Sequence, residues 1–171
     1  MPPRLLSGWH GTGLNALLTL IEADKEKNRI YYTALEPYSL NETEISELNY
    51  CEQLNQPHYK RLFEKMHQVE WEEMFEITEN FRLTKTKCSL LDFTIENTFF
   101  LIYFDAFDPK VQPELWTKEV FEKLYSIMIE GGILVPCCSK SAVGRAMHAA
   151  GFKVEKIPGP AGKKEMIRAR K

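Results

Sequence analysis

Six apolar or aromatic residues in a row, Phe99-Phe100-Leu101-Ile102-Tyr103-Phe104, run straight into Asp105-Ala106-Phe107-Asp108-Pro109. An uninterrupted apolar run of this length, ended by a turn signal, reads as a strand buried on both faces. Such strands belong to parallel sheets covered by helices. A polar loop follows, then a helix opening near Trp116-Thr117. An acidic residue at the carboxyl end of a central strand lies where open α/β sheets place their chemistry. Upstream, Gly11-Thr12-Gly13-Leu14-Asn15 opens a helix, and Glu36 closes a second strand. The combination predicts an α/β fold, a nucleotide-like cofactor and one acidic residue at the reaction centre.

The remaining elements alternate in the same way. Leu14, Leu17, Leu18 and Ile21 have helical spacing and predict a helix over 14–27. Residues 29–35 are β-branched and aromatic and predict a strand ending at Glu36-Pro37. Asn41 or Thr43 can cap a helix reaching about residue 53, and Pro57 suits the first position of another reaching about residue 69. Residues 71–79 are ambiguous, and 81–91 predict a strand closing at Asp92. Residues 117–129 predict an amphipathic helix with Val120, Phe121, Leu124, Ile127 and Met128 inward. Gly131-Gly132 breaks the chain before a strand over 133–137, and Gly151 stops a helix over 141–150. Two strands, 152–157 and 165–169, flank a Pro-Gly-Pro-Ala-Gly loop and predict a hairpin. One domain over residues 1–171 is expected, a doubly wound, mostly parallel sheet with an antiparallel edge.

Charge is unevenly spread. From Glu36 to Asn80 there are eleven Glu against three Lys or Arg; from Lys153 to Lys171 there are seven Lys or Arg against two Glu. The basic end permits binding to phosphates, and a solvated charged surface is the plain alternative. Cys51, Cys88, Cys137 and Cys138 lack metal spacing, so no metal is expected. Cys137 and Cys138 fall on the predicted buried strand and read as core thiols in a reducing cytoplasm. No apolar run reaches the roughly 18 residues of a membrane helix, and the N-terminus does not read as a signal peptide. His10, His58, His67 and His148 form no recognisable pair, and no nucleophile elbow stands at Cys138 or Ser139.

The glycine turn lets backbone approach a ligand at a helix N-terminus. Glu36, about 25 residues on, can accept hydrogen bonds from both ribose hydroxyls. Asp92 can take the adenine amino proton, with Leu91 and Phe93 beside the ring. Asp105 could bind an incoming amine and help remove its proton. The turn and the first two acids suit a dinucleotide as well as an adenosylmethionine; the acid at the far end favours group transfer.

These residues resemble the MnmD family, the methyltransferase half of the bifunctional MnmC enzymes that act on wobble uridines of tRNA. Gly11-Thr12-Gly13-Leu14-Asn15-Ala16-Leu17-Leu18-Thr19 is similar to its adenosylmethionine motif, and Tyr32-Thr33-Ala34-Leu35-Glu36-Pro37-Tyr38 to its second-strand motif. Tyr103-Phe104-Asp105-Ala106-Phe107-Asp108-Pro109, then Pro113-Glu114-Leu115-Trp116-Thr117, resembles its signature block. Ala149-Ala150-Gly151-Phe152, Pro158-Gly159-Pro160 and Gly162-Lys163-Lys164-Glu165-Met166 resemble its closing segment. The resemblance implies a Rossmann-like class I methyltransferase fold and S-adenosyl-L-methionine as cofactor. It implies methyl transfer to the exocyclic amine of 5-aminomethyl(-2-thio)uridine at tRNA position 34. By motif, Gly11, Thr12, Gly13, Asn15, Glu36, Pro37, Asp92 and Phe93 would bind the cofactor, and Asp105 would be catalytic. Phe107, Pro109, Trp116, Arg145, Lys163 and Lys164 would meet a tRNA partner. The family's oxidase half is not in this sequence, so no flavin is implied and coupling to a separate oxidoreductase-type wobble-uridine enzyme is expected.

The chain departs from the pattern at several points. Ser7-Gly8-Trp9-His10 stand where the family usually shows an acidic residue, an apolar residue, Gly and Phe. Only residues 1–6, with two prolines, precede them, so the first strand is expected to be truncated, missing or replaced. Pro136-Cys137 replace a usual Thr-Tyr, and Gly144 replaces one of two arginines, leaving Arg145. Two alternatives stay open: a methyltransferase acting on another amine, and an inactive truncated relative.

Overall fold

The computed structural model describes residues 2–94, 98–159, 162 and 165–171. The chain packs as two compact units, Met1–Ser89 and Leu90–Lys171.

In the first unit the strands lie in the order β3 (Met74–Thr78), β4 (Phe81–Thr86), β2 (Ile30–Leu35), β1 (Arg4–Ser7). β1 runs parallel to β2 and β2 parallel to β4, while β3 is antiparallel to β4. The expectation of a missing first strand is therefore corrected. Four residues suffice, because Leu5, Leu6 and Ser7 are buried and pair with Tyr32, Thr33 and Ala34. The connection from β1 to β2 is α1 (Leu14–Glu26), which buries Ala16, Leu17, Leu20 and Ala23 at helical spacing. It ends at Lys27, which takes the left-handed conformation at φ 54°.

The stretch after β2 breaks into short pieces. Asn41 caps α2 (Glu42–Ser46) through a capping box: its Oδ1 accepts from the Glu44 N–H at 3.0 Å, and Glu44 Oε2 accepts from the Asn41 N–H at 2.8 Å. The single helix expected to residue 53 is instead α2 followed by α3 (Tyr50–Gln53). A 3₁₀ turn, Pro57–Tyr59, leads into α4 (Lys60–Gln68), which packs through Phe63 and Met66. The ambiguous segment 71–79 contains β3. β4 closes at Thr86, well short of Asp92, which lies in a turn.

In the second unit the order is β5 (Phe99–Phe104), β6 (Met128–Pro136), β8 (Glu165–Arg170), β7 (Lys153–Pro158). β5 and β6 are parallel; β8 is antiparallel to both β6 and β7, which gives the expected C-terminal hairpin. α5 (Lys118–Ser126) starts at Thr117, whose Oγ1 accepts from the Val120 N–H at 3.4 Å, and buries Val120, Phe121 and Leu124. α6 (Ser141–Ala149) packs on α5 and β7 through Val143 and Met147. Two expectations fail here. β6 runs through Gly131-Gly132 instead of starting after them; the bulge between its pairing with Phe99 and with Leu101 accommodates Gly131 at φ 77°. The strand ends at Pro136, so Cys137 is exposed and Cys138 partly so, rather than core.

Candidate functional site

The glycine turn and Glu36 meet in the first unit. Beyond β1 the His10 N–H bonds the Leu35 carbonyl at 2.7 Å, which seats the turn against the end of β2. Gly11 and Gly13 hold φ of 53° and 78°, conformations with little steric cost only for glycine. The Gly13 carbonyl accepts the first helical bond, from the Leu17 N–H at 2.9 Å. Glu36 is only 3% exposed, and its carboxylate is bound on both sides. Oε2 accepts from the Gly11 N–H and Oε1 from the Tyr38 N–H, each at 2.7 Å. One carboxylate thus ties the turn to residues 36–38, Pro37 included. Thr12 Oγ1 accepts from the Tyr50 hydroxyl at 2.8 Å. The Asn15 carbonyl accepts from Thr19 Oγ1 at 2.7 Å.

The turn can receive a nucleoside-like ligand. A Cβ placed on Gly11 meets nothing within 4 Å, so its open side faces free space. Each Glu36 oxygen, with one N–H bond made, keeps a lone pair for another donor. The open side of Gly11 and the remaining acceptors of Glu36 leave room for a ligand that offers hydroxyl donors.

Beneath the turn lies a cluster that sequence reasoning missed. His10 is 8% exposed, and its ring lies 5.5 Å from that of His67. Lys85 is buried; its Nζ donates to the His67 carbonyl at 2.6 Å, at the C-terminal end of α4, and sits 4.6 Å from the Trp71 ring centroid. An ammonium there meets the unpaired carbonyls and negative dipole end of the helix. Neither His10 nitrogen, nor Nε2 of His67, has a hydrogen-bond partner among the described residues. Burial, then His67 and Lys85, push His10 down to about 3. Burial, then Lys85, push His67 down to about 4, the Thr12 backbone opposing. Both rings are neutral at neutral pH, leaving Lys85 as the cluster's cation, its own pKa lowered by burial. A cavity of about 20 Å³ among His10, Gly11, Glu36 and Lys85 has room for about one water. One signal was present in the sequence: β4 alternates Phe81, Leu83, Lys85 on its buried face, so a lysine stands where that period wants an apolar residue.

The second unit carries the acids of the later strands. Asp105 is exposed directly after β5. The loop behind it is braced from several sides. The Cys137 N–H bonds the Phe104 carbonyl at 3.0 Å, and Cys137 Sγ donates to the Ala106 carbonyl at 3.3 Å. Trp116 is 7% exposed, packs edge-on against Phe104, and donates through Nε1 to the Phe107 carbonyl at 2.9 Å. The structure therefore places Trp116 as a buried prop under the loop and leaves the Phe107 ring 57% exposed. Asp108 receives Lys140 Nζ on both oxygens, at 2.8 and 2.6 Å, and the Lys110 N–H at 2.9 Å. Lys140 and that N–H hold its carboxyl below the usual carboxylate range. Pro109 follows, partly exposed. Asp92 is exposed in its turn and Phe93 is buried. Lys123 Nζ donates to the Leu90 and Leu91 carbonyls at 2.9 and 2.7 Å and pins that turn. Arg145 is exposed on α6; Lys163 and Lys164 lie outside the described residues. No group of His, Cys, Asp or Glu that could hold a metal occurs among the described residues. No helix among them is long and apolar enough to cross a membrane.

A family model described as S-adenosyl-L-methionine-dependent methyltransferase matches residues 46–171. The chain belongs to that family. Its cofactor is S-adenosyl-L-methionine. Among curated relatives is the tRNA 5-methylaminomethyl-2-thiouridine biosynthesis bifunctional protein MnmC of Hydrogenovibrio crunogenus, 26% identical over 172 residues, covering 95% of this chain and 25% of the relative. The protein of that name from Leptospira interrogans is 29% identical over 163 residues, covering 92% and 25%. This methyltransferase chain thus spans a quarter of the length of these relatives. Among solved structures, MNMC2 from Aquifex aeolicus superposes with a TM-score of 0.73 at 20% identity, over 98% of this chain and 53% of the other. A methyltransferase from Pyrococcus furiosus superposes at 0.58 with 13% identity, over 99% and 75%. These likenesses show the expected Rossmann-like methyltransferase fold, mostly parallel with antiparallel C-terminal strands.

Proposed function

We propose that this chain methylates the exocyclic amine of 5-aminomethyl(-2-thio)uridine at the wobble position of tRNA, giving the 5-methylaminomethyl form. The observation that carries the reading is the exposed Asp105 at the end of β5, on a braced loop that also presents Phe107. The bifunctional relatives, named for that modified uridine, support the substrate class. S-adenosylmethionine supplies a methyl group on a positively charged sulfur, which leaves as a neutral thioether. In this reading Gly11, Thr12, Gly13 and Asn15 receive the methionine end, Glu36 the ribose hydroxyls, and Asp92 with Phe93 the adenine. Pro37 holds Glu36 at the strand end.

An alkylammonium has no lone pair, so a proton must leave before nitrogen can attack. Asp105 attracts the ammonium and takes that proton; the amine nitrogen then bonds to the methyl carbon as the carbon–sulfur bond breaks. Most of the acceleration comes from holding nitrogen, carbon and sulfur in line, since such positioning removes most of the entropic barrier. Phe107 offers its face for stacking of the splayed uridine, the usual mode for single-stranded RNA bases. In this reading an oxidoreductase-type wobble-uridine enzyme prepares the substrate amine.

The test is transfer of labelled methyl from the cofactor to tRNA carrying 5-aminomethyluridine. Label at position 34, lost in Asp105→Asn, is the expected result. Label on small amines but not on tRNA would refute the substrate.

A further inference from the structure

The outer face of α6 and the neighbouring β7 enclose a groove of about 350 Å³. Val143 and Met147 turn inward on α6, so the opposite stripe, Ser141, Gly144, Arg145 and His148, lines the groove. That division follows from spacings of three and four residues on a helix. Lys156 stands across from the stripe on β7, and Lys140 closes the end where α6 begins. Lys140 is also the residue bound to Asp108 at 2.6 Å, so this end of the groove adjoins the loop that carries Asp105 and Phe107.

The groove carries three cations on a largely apolar lining. Lys140, Arg145 and Lys156 line it against the carboxylate of Glu155, which is paired with Arg168 at 2.8 Å. The pairs Lys140–Asp108 and Lys156–Glu165 are open to solvent, their side chains 46% and 48%, and 68% and 41%, exposed. Exposed pairs of this kind are weak, and their cations exchange readily onto another anion. From Ser139 to Lys171 the sequence holds nine Lys or Arg against two Glu. A concave groove edged by three exposed cations matches a strand of phosphates better than a planar lipid surface.

We propose that this groove is the track for the RNA backbone, with phosphates seated on Lys140, Arg145 and Lys156 and the strand led from there toward Asp105. The inference rests on the tRNA substrate proposed for this chain and adds where the RNA lies. Gly144 makes it testable in both directions. A Cβ added there meets nothing within 4 Å, so a side chain at this position starts in open space beside the groove.

The experiment is titration of the full chain with a labelled tRNA transcript, from about 50 to 200 mM salt, with S-adenosylmethionine binding as the check on folding. Arg145→Glu should weaken RNA binding on the order of tenfold at low salt and flatten the salt slope by about 0.7 to 0.9 for each phosphate no longer neutralised. Gly144→Arg should tighten binding several-fold and steepen the slope, whereas Gly144→Ala, which changes helix propensity alone, should keep the wild-type slope. Wild-type slopes in both Arg145→Glu and Gly144→Arg, with RNA bound, would overturn the groove and leave the tRNA substrate standing. A wild-type chain that binds S-adenosylmethionine but no RNA would overturn both.

Discussion

The buried His10–His67 pair predicts a specific acid sensitivity. Both rings are held neutral in the fold, at about 3 and about 4, against 6.5 when unfolded. Below pH 6.5 the unfolded chain therefore binds protons that the folded chain refuses, so stability falls with falling pH. It is flat above about pH 7.5 and declines from there toward the folded values. At pH 5 the loss is about 2 kcal/mol for each ring if each titrates alone. Together they approach about 4 kcal/mol, an upper figure, because the two rings interact and His67 is partly exposed. That is a large part of the roughly 5–15 kcal/mol of a typical domain. The assay is urea unfolding at pH 7.5 and pH 5 for the wild type and for His10→Phe, which keeps a ring of similar size and removes both unpartnered nitrogens. The variant should lose about 2 kcal/mol less than the wild type between the two pH values. An equal loss in the two proteins would refute the reasoning, as would an NMR titration of His10 with a midpoint near the ordinary histidine value.

Three further outcomes are expected. Glu36→Ala should abolish S-adenosylmethionine binding by calorimetry and, by freeing the Gly11 and Tyr38 N–H groups from a charged acceptor, lower stability by about 2–4 kcal/mol; a cofactor-binding variant of wild-type stability would remove Glu36 from both roles. Gly13→Ala should be clearly more damaging in thermal unfolding than Gly11→Ala. Both force a positive φ at a cost of about 1–2 kcal/mol, but only at Gly13 does the new Cβ come within 3.1 Å of His67 and 3.2 Å of Phe63. Asp105→Asn should cut single-turnover methyl transfer by about 10²–10⁴-fold with cofactor affinity unchanged, and loss of cofactor binding instead would make Asp105 a cofactor residue.

What is local was legible in the sequence. The helix of α1, the Asn41 cap, the strand of β5 and the terminal hairpin all follow from side chains within a few residues of each other. Which faces are buried does not: of the stripe read for α1 only Leu17 is buried and Leu18 is 43% exposed, and β5, read as buried on both faces, leaves Phe100 42% exposed. Glu36 was found because a carboxylate at the end of the next strand lies one strand–helix–strand unit beyond a glycine turn. That the first strand survives with four residues was decided by its partner: β2 supplies a complete parallel register, so a short segment is buried and paired. β3 was hidden because Met74 and Glu76 are exposed and only Ile77 is buried, too weak an alternation to read without the β4 ladder beside it. Gly131-Gly132 read as a break because glycine favours turns, yet a bulge between strands absorbs it. Trp116 could be placed under its loop only by the packing of Phe104. Above all, the joining of His10, His67 and Lys85 under the glycine turn was decided by the tertiary structure. Their sequence separations carry no periodic signal, and burial, which sets their charge, is a property of everything packed around them.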